Sequence, residues 1–222
     1  NIQCFNVIDC EGNPLKFNKI NKDTWLVSTP NISDIIVRYN YYANEINAGS
    51  SYLDESQLYV NPINCCLYIP NRIDEEHIVD LNIPNDYIIA CALKQNKNQL
   101  IAINYDDLVE SPWIASPSIQ HKQFKVNEFK FHIWIQGECC LDWDYILTDF
   151  EKFAVEQIND FKSFPVPEYH FLYQILPFEA YHGVEHTAST VISLGPAHKI
   201  MKKPLYDSFL AVSSHELYHT WN

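Results

Sequence analysis

Residues 142–161 of the chain read DWDYILTDFEKFAVEQINDF. The apolar residues of this stretch recur at steps of three and four, which is the period of a helix with one apolar face. These residues are Trp143, Ile146, Leu147, Phe150, Phe153, Ala154, Ile158 and Phe161. Pro165 ends the pattern, because a proline cannot continue a helix. The sequence therefore predicts an amphipathic helix that begins a second structural region after Gly137.

The residues on either side of this helix show other patterns. Before it, short apolar or alternating runs are separated by Asn, Pro and Asp, which is typical of an all-β sandwich. These runs predict strands at 3–8, 25–28, 34–42, 66–69, 78–83, 87–93, 100–105 and 130–136, with a loop at 108–120. After the helix we expect strands at 169–176 and 185–193 and a helix from 205 to the end. The prediction is an α+β fold, with a β-sandwich domain at 1–140 and a second domain at 141–222.

The composition limits the class of protein. Of the 222 residues, 47% are hydrophobic and 14% aromatic, which excludes disorder as the dominant state. Fifteen Lys and Arg against 28 Asp and Glu give a net charge of -13, so we expect neither nucleic acid nor a membrane as a partner. Seven cysteines without CxxC spacing predict buried free thiols. Free thiols favour a cytoplasmic location but do not fix the compartment.

The last predicted helix contains His215-Glu216-Leu217-Tyr218-His219, an HExxH motif. Residues four apart lie on one face of a helix, so both imidazoles can face a single zinc ion. Glu216, beside the first histidine, is then placed to act as the general base that takes a proton from metal-activated water. The alternative is a pair of structural histidines on a buried helix face.

A second motif, His182-Gly183-Val184-Glu185-His186, precedes this helix by about 30 residues. Gly183 permits close approach of a backbone, and a strand with an open edge can bind an extended peptide. Glu185, at one end of such an edge, could pair with the free α-amino group of a substrate. The alternative, in which Glu185 is part of a surface loop, stays open.

Together these segments resemble the glycyl aminopeptidase family of zinc metallopeptidases. The resemblance rests on residues 214–222, similar to an extended HExxHxWN signature, on Gly183-Val184-Glu185-His186, and on the stretch from Tyr105 to Pro112. It implies a β-sandwich followed by the first part of a thermolysin-like catalytic domain. It also implies that His215 and His219 bind zinc, that Glu216 is catalytic, and that Gly183, Glu185 and His186 contact the substrate.

One feature departs from the pattern of that family. The resemblance places the third zinc ligand on a later helix, whereas this sequence stops at Asn222. We therefore expect an internal fragment, truncated at both ends and inactive by itself. Its single zinc site is expected to be empty or completed by solvent, because two ligands bind a metal weakly.

Two classes of function follow from these patterns. The first is a zinc aminopeptidase that removes N-terminal residues from peptides with a free amine. An endopeptidase or an alanyl-type aminopeptidase with the same zinc motif is a variant of this hypothesis. The second is a non-catalytic module that binds a peptide or protein through its β-sandwich and exposed strand edge. The sequence fixes neither the preferred N-terminal residue nor the oligomeric state.

Overall fold

The computed structural model describes residues 2–222, and these form two compact units that meet in sequence between Tyr42 and Ala43. The strands are β1 Ile2–Asp9, β2 Phe17–Lys19, β3 Trp25–Val27, β4 Ile35–Tyr41, β5 Tyr52–Leu53, β6 Leu58–Val60, β7 His77–Asp80, β8 Ile88–Cys91, β9 Lys94–Asn96, β10 Gln99–Ala102, β11 Trp113–Ser116, β12 Gln120–Val126, β13 Phe129–Gln136, β14 Glu168–Ile175, β15 Ala180–Glu185 and β16 Ser189–Gly195. The helices are α1 Tyr105–Val109, α2 Trp143–Phe161 and α3 Leu205–Tyr218. None of the helices within residues 2–222 is long and apolar enough to cross a membrane.

The first unit consists of two antiparallel strand pairs. Strand β1 pairs with β4, and β2 pairs with β3. The ring of Phe5 stacks on that of Trp25, with centroids 4.6 Å apart.

The second unit begins with two antiparallel sheets that enclose a common core. One sheet has the order β5-β6-β11-β8, and the other has the order β7-β10-β9. Apolar side chains of β8, β10, β11 and α1 fill the space between them, among them Ile89, Leu100, Leu108 and Trp113. The predicted α+β class and the N-terminal β-sandwich are confirmed.

A five-stranded mixed sheet, ordered β12-β13-β14-β16-β15, supports the rest of the second unit. Strands β13 and β14 are parallel and are joined through α2, as a crossover connection requires. Helices α2 and α3 cover one face, where Phe150, Phe171 and Phe209 are fully buried. On the other face, Leu172 and Val191 pack in a cluster with residues of the sandwich. Both faces are covered, which explains why β14 and β16 are apolar or buried along almost their whole length.

Helix α2 confirms the prediction made from residues 142–161. The Asp142 carboxylate caps its first turn by accepting a hydrogen bond from the Tyr145 N–H at 3.1 Å. The helix ends at Lys162, whose φ of 60° lies in the left-handed region that stops helices.

Two predictions made for the sandwich are wrong. Residues 66–69 form no strand, because Pro62 and Pro70 each start a 3-10 turn on either side of that run. The predicted loop at 108–120 instead contains β11, a buried central strand hydrogen-bonded to both β6 and β8. Because β11 is buried on both faces, it lacks the alternation that marks a half-exposed strand.

The predicted strand at 185–193 is also wrong, because a turn divides it. Strand β15 ends at Glu185 and β16 begins at Ser189, and the His186 N–H closes the turn on the Ser189 carbonyl at 2.9 Å. The domain boundary after residue 140 stays a prediction; β13 and β14, on its two sides, belong to one sheet.

The prediction of buried thiols holds for only part of the set. Cys91 is buried, whereas Cys4, Cys10 and Cys140 are exposed.

Candidate active site

The HExxH motif occupies the last turn of α3 and the 3-10 turn that follows it. Helix α3 is fixed by its apolar face, in which Phe209, Val212 and Leu217 are buried against the five-stranded sheet. Polar contacts hold it as well. The Tyr169 hydroxyl donates to the Glu216 carbonyl at 3.3 Å, and the Gln157 amide donates to the Ser214 carbonyl at 2.8 Å.

The two histidines of the motif converge as their spacing predicts. The Nε2 atoms of His215 and His219 lie 3.1 Å apart, with the rings nearly perpendicular. His215 is exposed and His219 is half-buried, so this is not the buried structural pair of the alternative hypothesis. Two ligands of a tetrahedral zinc ion, each about 2.0–2.1 Å from the metal, are about 3.3 Å apart. The spacing of the two nitrogens therefore matches that of two zinc ligands.

Glu216, between the two histidines in the chain, is only 4% exposed. Its Oε2 atom is buried and has no hydrogen-bond partner within residues 2–222. Burial raises the pKa of this carboxyl, the nearby Glu185 carboxylate raises it further, and His215 and His219 act in the opposite direction. A buried carboxylate with an unsatisfied oxygen needs a proton, a cation or a water to pair with it.

Gly183 has a role that the sequence did not reveal. We expected its small size to admit a substrate backbone, but the Glu216 carboxylate occupies this space. A Cβ atom at position 183 would overlap Glu216 Oε1 and would lie 2.7 Å from its Cδ. The glycine therefore lets strand β15 lie directly against the carboxylate of α3.

Glu185 ends β15 beside the same group. One oxygen of Glu185, one oxygen of Glu216 and one ring nitrogen of His219 lie within 4.8 Å of one another. Glu185 is exposed and β15 is the outer strand of its sheet, so the carboxylate marks one end of an open strand edge. This position allows it either to pair with a substrate amine or to approach a metal held by the histidines.

His186 does not join this group. Its side chain is 6% exposed, and its Nδ1 atom lies 3.7 Å from Glu110 Oε2. The same oxygen accepts a hydrogen bond from the Thr187 N–H at 3.2 Å. Hydrogen bonding with the His186 imidazole holds the pKa of Glu110 below its usual range. Glu110 thus anchors the turn between β15 and β16.

Sequence reasoning assigned no role to Glu110, Tyr169 or Gln157. Glu110 lies 77 residues from Thr187 in the chain, and no spacing rule connects them. Its place inside the Tyr105–Pro112 stretch, which carries part of the family resemblance, was the only available signal.

Comparison with known proteins identifies the family. Residues 1–117, more than half of the chain, match the model of the peptidase M61 N-terminal domain. A comparison with curated proteins gives no significant match.

Solved structures extend the similarity over the whole chain. An aminopeptidase N family protein from Idiomarina loihiensis is 25% identical, with a TM-score of 0.90, and the match covers 100% of this chain and 39% of that protein. An M1 zinc metallopeptidase from Deinococcus radiodurans (11% identity, TM-score 0.54) and an aminopeptidase A from Legionella pneumophila in complex with aspartic acid (12%, 0.60) are likewise matched over 100% of this chain. The chain spans 54% and 30% of those two proteins, and at this identity they show a shared fold alone.

The α+β architecture and the match over residues 1–117 lead to one conclusion: this chain belongs to the peptidase M61 family.

Proposed function

We propose that this chain carries the zinc-binding helix and the substrate edge of a zinc-dependent aminopeptidase of the glycyl aminopeptidase type. The observation that carries the proposal is the convergence of His215, His219, Glu216 and Glu185 at the end of β15. The similar M1 zinc metallopeptidase and aminopeptidase structures support it at the level of fold.

His215 and His219 would hold the zinc ion through their Nε2 atoms. When bound, zinc polarises the scissile carbonyl as a Lewis acid and makes water a better nucleophile near neutral pH. Glu216 accepts the proton of the attacking water on its side-chain carboxylate and later returns it to the leaving amine. Because Gly183 and the α3 backbone hold this carboxylate in place, the proton acceptor is oriented before the substrate arrives.

Glu185 gives the aminopeptidase its specificity in this proposal. A substrate strand that pairs with the open edge of β15 would end at Glu185, whose carboxylate pairs with the α-ammonium group. Glu185 is also a carboxylate donor close to His219 that could act as a further zinc ligand.

Hydrolysis of aminoacyl-coumarin amides by the full-length protein that contains this chain tests the proposal. We expect cleavage of substrates with a free amine and none of their N-acetylated forms. Glu216→Gln should lower kcat by about 10²–10⁴-fold, which is the range for loss of a general base. Zinc content should not change, because Glu216 is not a ligand.

Glu185→Gln separates the two roles of that residue. An amine-binding role predicts a raised KM with zinc retained, whereas a ligand role predicts loss of zinc. Glu179→Gln is the matched control, since Glu179 is also exposed and directly precedes β15.

Equal cleavage of acetylated substrates would contradict an aminopeptidase and indicate an endopeptidase. Unchanged hydrolysis by Glu216→Gln would refute the mechanism, and peptide binding without turnover would favour a binding module.

A further inference from the structure

A second group of metal-ligating side chains lies on the five-stranded sheet, on strands β12, β13 and β14. His132 and His170 are direct partners in the parallel pairing of β13 with β14. Glu168 is two residues before His170, so both side chains point to the same face. His121 on β12 is paired with Trp134, two residues after His132. Three histidines and one carboxylate therefore share one face of three adjacent strands.

The donor atoms of this histidine cluster are already close together. His132 Nε2 lies 3.2 Å from Glu168 Oε2, and His132 Nδ1 lies 2.9 Å from His121 Nε2. The His132 and His170 rings are stacked, with centroids 4.4 Å apart. One donor atom each from His132, Glu168 and His170 lie within 4.8 Å of one another. Ligands of a tetrahedral ion are about 3.3 Å apart, a spacing that His132 Nε2 and Glu168 Oε2 already have.

Burial and exposure are also suited to a bound ion. His132 and His170 are each 7% exposed, which holds their rings in fixed orientations. The side chain of Glu168 is 48% exposed, so the group can be reached from solvent. Desolvation lowers the pKa of His170 to about 3 and also lowers that of His132. Burial therefore favours the neutral form of both imidazoles, which is the form that binds metals.

We propose that His132, Glu168 and His170 form a binding site for a divalent first-row transition ion, zinc or one of similar size. Imidazole and carboxylate donors suit such ions, and calcium or magnesium would require more oxygen ligands. When His132 binds through Nε2, its proton moves to Nδ1 and is donated to His121 Nε2, which orients the ligand ring. None of these residues belongs to the HExxH helix, so the site stands independently of the proposed peptidase function.

Two neighbours of the site supply diagnostic readouts. The Trp134 indole N–H donates to His170 Nδ1 at 3.1 Å, and this bond must be lost or rearranged when His170 binds a metal. The Lys130 ammonium lies 2.9 Å from Glu168 Oε1, where its positive charge opposes a second cation. Removing this charge should tighten metal binding, which a purely structural role of the cluster would not predict.

Cobalt(II) titration of the 222-residue chain tests the site. The double variant His215→Gln/His219→Gln is used as the background, because it lacks the ligands of the proposed peptidase zinc. In this background we expect one cobalt ion per chain, with visible d–d absorption, a change in Trp fluorescence and displacement by zinc. Glu168→Gln and His132→Gln should each weaken binding about tenfold or more, whereas Lys130→Gln should tighten it. His198→Gln is the matched control, because His198 lies outside the cluster, in a 3-10 turn after β16.

Either of two results would overturn the proposal: no stoichiometric cobalt in the background variant, or binding that Glu168→Gln leaves unchanged. If His132→Gln does not fold, as judged by circular dichroism, the exposed Glu168 decides the question alone. The cobalt titration does not depend on hydrolysis, so failure of this metal site and failure of the peptidase mechanism give different results.

Discussion

Gly183→Ala is the substitution that most sharply tests how the site is built. The added methyl group would overlap Glu216 Oε1 and approach its Cδ to 2.7 Å and its Cγ to 3.1 Å. Ordinary contact between non-bonded heavy atoms requires about 3.5 Å, so the carboxylate must move by about 1 Å. Glu216 is only 4% exposed, and it lies on a helix that is anchored to the sheet.

The size of the effect follows from this overlap. Overpacking of a buried site costs about 1–3 kcal/mol, and each kcal/mol lowers the Tm of a protein of this length by about 2–4 °C. A catalytic group displaced by about 1 Å loses about 100-fold in kcat/KM. Thermal unfolding of the 222-residue chain measures the first effect, and aminoacyl-coumarin hydrolysis by the full-length protein measures the second.

Gly49→Ala is the matched control for this substitution. A Cβ atom at Gly49 would be 3.8 Å from its nearest neighbours, so we expect Tm and kcat/KM close to wild type. Glu216→Asp shortens the overlapping side chain by one methylene group. The double variant Gly183→Ala/Glu216→Asp should therefore lose less stability than the two single variants added together. Wild-type Tm and kcat/KM in Gly183→Ala would refute the contact between β15 and the Glu216 carboxylate.

Three further predictions concern pH and individual hydrogen bonds. Burial lowers the pKa of His170 to about 3, so the unfolded chain binds its proton near pH 6.5 and the folded chain does not. The contribution of His170 to the free energy of unfolding is therefore complete above about pH 6.5 and falls by up to about 1.4 kcal/mol per pH unit towards pH 3. The free energy of unfolding measured in urea should depend less steeply on pH in His170→Gln than in the wild type. Ser213→Ala removes the partner of the buried Tyr173 hydroxyl, 2.5 Å away, and should cost about 1–3 kcal/mol at pH 7. Glu110→Ala leaves the Thr187 N–H without its acceptor and should cost about 1 kcal/mol, whereas Glu110→Gln should retain most of the stability in the same unfolding assay.

Periodicity predicted the elements in which one face is buried. Helix α2 was predicted from its three- and four-residue steps, and Ile146, Phe150, Ala154 and Ile158 of that pattern are buried in the structure. Strand β11 was missed because four buried residues between Pro112 and Pro117 resemble a loop. The turn between β15 and β16 was missed because His186, Thr187 and Ala188 do not interrupt an apparently continuous strand pattern.

The candidate site could be predicted only where its residues are close in the chain. The convergence of His215 and His219 follows from helix geometry and needs no tertiary information. The contact of Gly183 with Glu216 depends instead on how β15 packs against α3. Likewise, the pairing of His132 with His170 depends on a parallel register that a single sequence does not specify.

Zinc content and hydrolysis, measured together on the full-length protein and on its His219→Gln variant, test whether the HExxH helix holds the metal of a peptidase. We expect the wild type to cleave aminoacyl-coumarin amides with a free amine. We also expect His219→Gln to lose one zinc ion per chain together with this activity. Hydrolysis that persists in a variant with unchanged zinc content would contradict the assignment of the HExxH helix as the metal site of a peptidase.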